Sequence, residues 1–434
     1  MKHYTIAETF VGAGGSHIGF KQAGFKSVYV DDFDDNFLKT LVNNNPELLE
    51  DGVFVDNRSI IDVDPESILA KTNIKPKELD VLFGGIVCKG FSLAGDKSPN
   101  DERNFFYRKQ LELVKVLQPK VSVIENVVGI LNGEVLSDET PLEIRDRVNK
   151  VWQELANYKG KKADLRKKGL ITQEFEDYGK AIKAERQKMM KELSENGYLI
   201  PVLKDIYHLY EKLGYKVQHK VLNAAWYGAA TKRERVVIVA VRGDIDINFK
   251  YPLPEYWSKE LRTKLDFDEN ELKNIQFKKP VTVNDVLATI DYTADDYDNQ
   301  PMQHDAKTVA RFKFIPEGDS ITNHMDKLPK ELVISSFYSR GNTMRLDGNQ
   351  PSPTLVPGHS NFPVHPREHR SISVREAATI TGFPNDYKFV GNHTKRCEQV
   401  GNAVPPPLAN AVAKQVKVLL DEYYINYSTK TKAA

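Results

Sequence analysis

Five apolar runs of strand length lie between residues 4 and 124, and helical patterns separate them. Strands are predicted at residues 4–10, 27–30, 53–55, 79–83 and 121–124, with helices at 16–23, 35–44, 65–72 and 104–117. Strands joined by helices of this length form a parallel sheet covered on both faces. The chain is therefore predicted to be α/β, with a doubly wound, mostly parallel sheet. After a break the pattern resumes with a helix at 202–213 and strands at 216–223 and 235–241. The run Val236-Val237-Ile238-Val239-Ala240-Val241 has no polar alternation, as a strand buried on both faces requires.

In such a sheet, ligands bind outside the carboxyl ends of the strands. The first predicted strand runs into Phe10-Val11-Gly12-Ala13-Gly14-Gly15, where glycines let the backbone approach a ligand. The second ends at Asp31-Asp32-Phe33. Asp32 lies twenty positions after Gly12, the spacing at which a carboxylate holds ribose hydroxyls. The third ends at Asp56-Asn57, the fourth at Gly84-Gly85-Ile86-Val87-Cys88, and the fifth at Glu125-Asn126-Val127. Each has a plain reading: a turn, a helix cap, an inert buried thiol. Five strands presenting chemistry at one edge require five coincidences. A dinucleotide fingerprint needs glycine at position 17, where His17 stands. The loop suits a ligand with adenine and ribose but no pyrophosphate, such as S-adenosylmethionine.

The remainder sets the organisation. With 434 residues, two lobes are expected. Residues 1–242 read as the catalytic and cofactor-binding domain, 243–360 as a second irregular lobe rich in Pro, Gly, Asn and aromatics, and 361–434 as a returning segment with helices at 373–382 and 407–420. The break, residues 132–200, is polar and helix-prone. Between Arg145 and Glu192 it holds fourteen Lys or Arg against eight Asp or Glu, and it is predicted to be an inserted helical hairpin. The net charge of +1 does not itself call for a nucleic acid. Two distant cysteines, Cys88 and Cys397, exclude a disulfide framework and a zinc pattern, and Cys397 is expected in packing. No histidine spacing suggests a metal. Neither a signal-peptide pattern nor an apolar run near the ~20 residues of a membrane span is seen.

These residues, in this order, resemble the DNA (cytosine-5) methyltransferase family, of the bacterial restriction-modification type. ETFVGAGGSHIGF is similar to its cofactor motif, Cys88 in GGIVCKGFSLAG to its nucleophile motif, and Glu125-Asn126-Val127 to its Glu-Asn-Val motif. Arg233 and Arg235 fall on the arginines of its Gln-x-Arg-x-Arg motif. The stretches from Ser373 to Pro384 and from Gly401 to Pro406 match its late motifs. Val87 replaces the usual proline before the nucleophile, Lys89 the glutamine after it, and Thr231 the glutamine of the arginine motif.

The resemblance implies the following. Cys88 is the nucleophile, with Glu125, Arg233 and Arg235 as its catalytic partners. Addition of a thiolate to carbon 6 of cytosine makes carbon 5 able to attack the methyl sulfonium of S-adenosylmethionine. Lys89, Arg233 and Arg235 are candidates for lowering the thiol pKa, with a phosphate contact as the alternative for Lys89. Glu125 holds ring nitrogen 3 and the exocyclic amine, which requires a raised pKa; helix capping, with Asn126, is the competing reading. Cofactor candidates are Phe10, Gly12, Ala13, Gly14, Gly15, Asp32, Phe33, Asp56, Asn57, Gly85, Asn402 and Ala403. Phe10 and Phe33 sandwich the adenine unless they serve as core packing. The target base must be flipped out of the duplex, with residues 93–103 as a candidate lid. Residues 243–360 are the target-recognition domain. Lys89, Ser92, Arg103, Arg340, Asn342 and Arg345 are candidate DNA contacts, and the basic hairpin is either a solvated helix pair or a surface beside DNA phosphates. The expected partner is double-stranded DNA, and the expected setting a cytoplasmic, nucleoid-associated bacterial monomer with an unbound cognate endonuclease. RNA cytosine methylation and an inactive DNA-binding homologue are the rival readings.

Overall fold

The computed structural model describes residues 3–86, 98–334, 341–358 and 362–433. The first half alternates as the pattern predicts: β1 (Tyr4–Thr9), α1 (Gly15–Gln22), β2 (Phe25–Asp31), α2 (Asp35–Asn44), β3 (Phe54–Asp56), α3 (Pro65–Thr72), β4 (Val81–Gly85), α4 (Phe106–Leu117) and β5 (Val121–Asn126). Helix starts carry their own signals. The Asp34 carboxylate caps α2, and Asp64 caps α3 with Pro65 at the first helical position.

Next come β6 (Glu134–Leu136), the long helices α5 (Leu142–Lys168) and α6 (Gln173–Glu195), and β7 (Leu199–Pro201). They are followed by α7 (Val202–Lys212), β8 (Tyr215–Asn223) and β9 (Glu234–Arg242). The inserted hairpin is thus present. Its roots are tied by β6 pairing antiparallel with β7, two short strands that the sequence pattern did not predict.

The main sheet has seven strands in the order β3-β2-β1-β4-β5-β9-β8. The pairs among β1 to β5 are parallel, while β9 runs antiparallel to both neighbours. The chain order reverses between β1 and β4, which opens a crevice at their carboxyl ends. Val237, Val239 and Val241 of β9 enter one core, and Val236, Ile238 and Ala240 the other. The period of two in a strand buried on both faces explains the unbroken apolar run.

The C-terminal part forms α8 (Val374–Thr381), α9 (His393–Asn402) and α10 (Pro406–Ala433). Helix α9 was not predicted, and α10 continues well past the expected end at 420. On α10, Leu408, Val412, Val416 and Leu420 join the core beneath α1. Asn410 Nδ2 donates to Gly19 O at 2.9 Å, and a Cβ on Gly19 would lie 2.5 Å from the Ala409 Cβ and the Asn410 backbone nitrogen. Among the described residues no helix is long and apolar enough to cross a membrane.

The closeness of Gly19 to α10 makes a stability prediction. Gly19→Ala forces α10 away from α1, an overpacking cost of about 1–3 kcal/mol. Thermal unfolding is expected to show a midpoint several degrees lower; an unchanged midpoint would mean that the two helices are free to slide apart.

Candidate active site

The cofactor-binding candidates gather where β1 and β2 end. Phe10 holds a left-handed backbone, φ 52°, an unusual state for a side chain of that size. What holds it there is Asp31, whose Oδ1 accepts Phe10 N–H at 2.9 Å while its backbone oxygen accepts Val11 N–H at 2.9 Å. The Tyr29 hydroxyl donates to the other oxygen at 2.9 Å. Gly12, φ 58°, donates its N–H to Asp32 Oδ2 at 3.0 Å, and Asp34 N–H donates to Asp32 Oδ1 at 2.9 Å. Burial pushes the Asp31 carboxyl up to about 8 and that of Asp32 up to about 6. Asp56 is different. Burial opposes its ionisation, but the Arg58 guanidinium at 2.7 Å outweighs this and holds its carboxyl below the usual range. With Asp56 committed to Arg58, the exposed Asn57 is the freer polar group at that strand end.

The two phenylalanines separate. Phe33 is 68% exposed, so its ring is open to a ligand. Phe10 is half-buried and stacks on Phe106, ring centroids 5.8 Å apart. Phe106 is a part of this wall that the motif reading missed. Gly85 lies close to Phe10, since a Cβ there would sit 3.2 Å from the Phe10 carbonyl oxygen.

The returning segment closes the loop from above. The Tyr387 hydroxyl donates to Ala13 O at 2.6 Å, and a Cβ on Gly14 would lie 2.7 Å from that same hydroxyl. A Cβ on Gly15 would overlap the Val404 carbonyl and sit 3.3 Å from the Ala403 Cβ. Ala403 therefore meets the loop, whereas Asn402 is exposed at the end of α9. Tyr387 carried no motif signal. His17, which breaks the dinucleotide pattern, is buried with Nδ1 2.8 Å from Glu8 Oε2. Gly12 has nothing within 4 Å of an ideal Cβ, Phe33 is open, and Asp32 is buried beside them; an adenosyl group suits these three residues.

The reaction edge lies where β5 meets β9. Glu125 ends β5 with 7% exposure. Arg235 Nε lies 2.7 Å from Glu125 Oε1, an ion pair by distance, yet Oε1 has no hydrogen-bond donor of good geometry among the described residues. Burial pushes the Glu125 carboxyl up, and Arg235 and then Arg233 pull it back. Arg233 is also buried, donates to Leu355 O at 3.2 Å, and leaves its Nε without a partner among the described residues. The helix-capping reading of Glu125 does not describe this geometry: the neighbouring Asn126 makes the local backbone bonds. Its Nδ2 donates to Ile86 O at 3.0 Å and its Oδ1 accepts Val127 N–H at 2.9 Å. Gln110, missed by the motif reading, accepts from the Thr9 hydroxyl at 2.6 Å and fills the space that a Cβ on Gly84 would need.

Cys88, Lys89, Ser92 and Arg340 lie outside the described residues, as do residues 93–97 of the candidate lid and the Arg103 side chain. Asn342 is half-buried in a short helical turn. The reading of Arg345 as a DNA contact requires correction. Its guanidinium is buried and donates to the carbonyls of Phe312, Ile315, His365 and Glu368 at 2.6–2.7 Å. A guanidinium spent on four carbonyls organises the second lobe and is not open to a base. Cys397 is buried among apolar residues, and burial pushes its thiol up to about 12.

The profile of the C-5 cytosine-specific DNA methylase family matches residues 4–144 and 178–418. The Type II methyltransferase M.Eco47II of Escherichia coli is 28% identical over 428 residues, covering 96% of this chain and 80% of that protein. M.DdeI of Desulfomicrobium norvegicum is 28% identical over 437 residues, covering 95% and 88%. Among solved structures, a DNA modification methyltransferase encoded within an E. coli prophage superposes with a TM-score of 0.55 at 21% identity, covering 96% of this chain and 99% of that one, and shares the fold. The chain belongs to the C-5 cytosine-specific DNA methylase family, and site-specific methylation of DNA at carbon 5 of cytosine is its activity.

Proposed function

We propose that methyl transfer proceeds through a covalent adduct between Cys88 and carbon 6 of a flipped-out cytosine, with Glu125 as the group that holds the base. The observation that carries this is the buried Glu125 carboxyl, whose Oε1 lies 2.7 Å from Arg235 Nε and has no donor of good geometry among the described residues. A cytosine bound there brings donors in its exocyclic amine and, when protonated, in ring nitrogen 3. Burial favours the protonated carboxyl, so Glu125 supplies a proton to ring nitrogen 3 as the thiolate adds and negative charge develops. Arg235 holds the carboxyl in place, and Arg233 adds a positive field to the same pocket.

S-adenosylmethionine supplies the methyl group. Asp32 is proposed to hold its ribose, Phe33 and Phe10 its adenine, and Asn57 the adenine edge. Carbon 5 takes the methyl group, a base removes the proton left on carbon 5, Cys88 departs as the thiolate, and ring nitrogen 3 returns its proton to Glu125, which restores the neutral aromatic ring. A bacterial modification setting alongside a companion endonuclease is proposed from the Type II names of the relatives.

Methyl transfer from tritiated S-adenosylmethionine to mixed-sequence duplex DNA tests the chemistry. Label recovered as 5-methylcytosine with wild type, and none with Cys88→Ser, is expected. Glu125→Gln, which cannot deliver the proton, is expected to lower the rate by roughly 10²–10⁴-fold. Wild-type rates in Glu125→Gln would remove the carboxylate from the chemistry. Label on RNA in preference to DNA would move the substrate and keep the mechanism.

The cofactor loop makes a separate pH prediction. Folding raises the Asp31 carboxyl to about 8, so between the unfolded value near 4 and pH 8 the folded chain holds a proton that the unfolded chain has released. This contribution to stability is full below about pH 4 and is lost as pH rises to about 8. Asp31→Asn stays neutral throughout. Its thermal midpoint, relative to wild type, is expected to rise between pH 5 and pH 9; a constant difference would mean that Asp31 ionises freely in the folded loop.

A further inference from the structure

The family profile skips residues 145–177, so most of α5 and the tip of the α5–α6 hairpin lie outside the matched profile. The hairpin is nonetheless rooted at the active edge of the sheet. The chain leaves β5 immediately after Glu125-Asn126 and enters the hairpin through β6. It returns through β7 and α7 into β8, which runs parallel to β5 because both are antiparallel to β9. Both roots therefore stand at the carboxyl edge, where the target base must be held.

The roots also grip the chain that follows the nucleophile segment. Leu136 N–H donates to Pro99 O at 3.0 Å, Asn100 Nδ2 donates to Asn149 Oδ1 at 2.8 Å, and Arg145 Nη1 donates to Asn100 Oδ1 at 3.3 Å.

From that base the hairpin extends as two packed helices. The 27 residues of α5 span about 40 Å. Leu136, Val148, Trp152, Met189 and Leu193 form one core near the root, and Leu155, Tyr158 and Ile182 a second one further out. Gly179 leaves room for Tyr158 to lie across α6, and Tyr158 stacks on Phe175 at 4.9 Å.

Some of its cations are matched: Arg147 with Glu192, Lys162 with Glu176, and Lys180 with Asp177. Others along both helices, Lys150, Lys161, Lys183 and Lys188, are exposed and make no ion pair among the described residues. At the tip, Arg166, Lys167 and Lys168 are exposed and make no ion pair among the described residues. The segment from Arg145 to Glu192 has an excess of six positive charges in a chain whose net charge is +1, so the rest of the chain is net negative by five. An enzyme acting on a polyanion thus concentrates its positive charge on an arm that leaves the edge where the base is held.

We propose that the α5–α6 hairpin is an arm that lies against the DNA backbone beside the target site, with Arg166, Lys167 and Lys168 as its outer phosphate contacts. It rests on the reading of the Glu125 edge as the place where duplex DNA presents its flipped base. The contacts are to phosphates, so they add affinity without sequence preference, and each releases counterions.

Salt dependence of DNA binding tests this. Anisotropy titrations across a salt series compare the full-length wild type with Arg166→Ala/Lys167→Ala/Lys168→Ala, on a duplex of about 40 base pairs and on one trimmed to about 12, too short to run beneath the tip. A matched control, Lys75→Ala/Lys115→Ala/Lys212→Ala, removes three exposed lysines from the opposite edge of the sheet. On the long duplex the tip variant is expected to show a slope of log K against log salt smaller by about 2–3, with the control matching the wild type. On the short duplex all three are expected to agree. Equal slopes for tip variant and wild type on the long duplex overturn the proposal, and so does an equal loss in the control, which would assign the effect to bulk charge. A wild type that fails to methylate DNA while the slopes still differ fails the catalytic reading and leaves the arm standing.

Discussion

Glu125 is buried at the end of a strand, and a buried carboxylate is held only where partners are brought to it. The fold supplies those partners by running one strand backwards. β9 is antiparallel to β5, so its first residues, not its last, arrive beside Glu125, and Arg235 enters the ion pair as the strand begins. Arg233, two residues earlier, is as deeply buried and needs acceptors of its own. It finds one on a segment more than a hundred positions away, the Leu355 carbonyl. Around that contact Lys232 N–H donates to Ser352 O at 2.7 Å, and Ser352 N–H to Ala230 O at 2.8 Å. The excursion that forms the second lobe is thus pinned, on its return, to the pair of arginines at the reaction edge. Glu125, its two arginines and the return of the second lobe share one small cluster of buried donors and acceptors.

The cofactor half is governed by the same need to satisfy groups that the loop cannot satisfy locally. Phe10, Gly12 and Gly14 all have positive φ, and a loop with three such residues in five positions does not hold its shape unaided. Asp31 and Asp32 accept its N–H groups from β2, and Tyr387 donates to the Ala13 carbonyl from the far end of the sequence. The raised carboxyls of Asp31 and Asp32 follow from where these acceptors must stand, under the loop and out of water. Because α10 packs on α1 and Val404 abuts Gly15, the loop acquires its final form only when the last sixty residues have docked. Contacts of that sequence separation carry a loop-closure cost that slows folding.

Much of this was legible in the sequence because it is periodic or terminal. Strand and helix patterns have short periods, and a position at a strand end needs only the strand and the residue after it, so the placement of Asp32, Glu125 and the glycines of the first loop at strand ends was legible. Arg345 was misread because an arginine in an irregular segment looks the same whether it faces a phosphate or four carbonyls; the difference lies in the path of backbone from four separate stretches. Tyr387, Phe106 and Gln110 were missed for the same reason, since each acts across the fold on a residue far away in the chain. Helix α9 has a polar sequence whose buried residues are Arg396, Cys397, Gln399, Val400 and Gly401, too little apolar character for a periodicity to register. The Arg396 guanidinium pairs with Asp298 at 2.7 Å, a partner that no local pattern reveals.

The hairpin shows how such a framework carries a segment outside the matched profile. Its apolar contacts form two clusters separate from the two cores that sandwich the sheet, so its length and charge change without repacking β5 or β9. The points of coupling are at the root: the β6–β7 pairing, Pro99, and Asn100 with its two partners on α5. Those few hydrogen bonds fall, in sequence, just after the segment that carries Cys88. Arg108 reinforces the same junction, reaching Asp138 at 2.6 Å beside the hairpin root and Asp205 at 2.9 Å on α7. The root is thus tied both to the chain beyond the segment that carries Cys88 and to the helix that feeds β8.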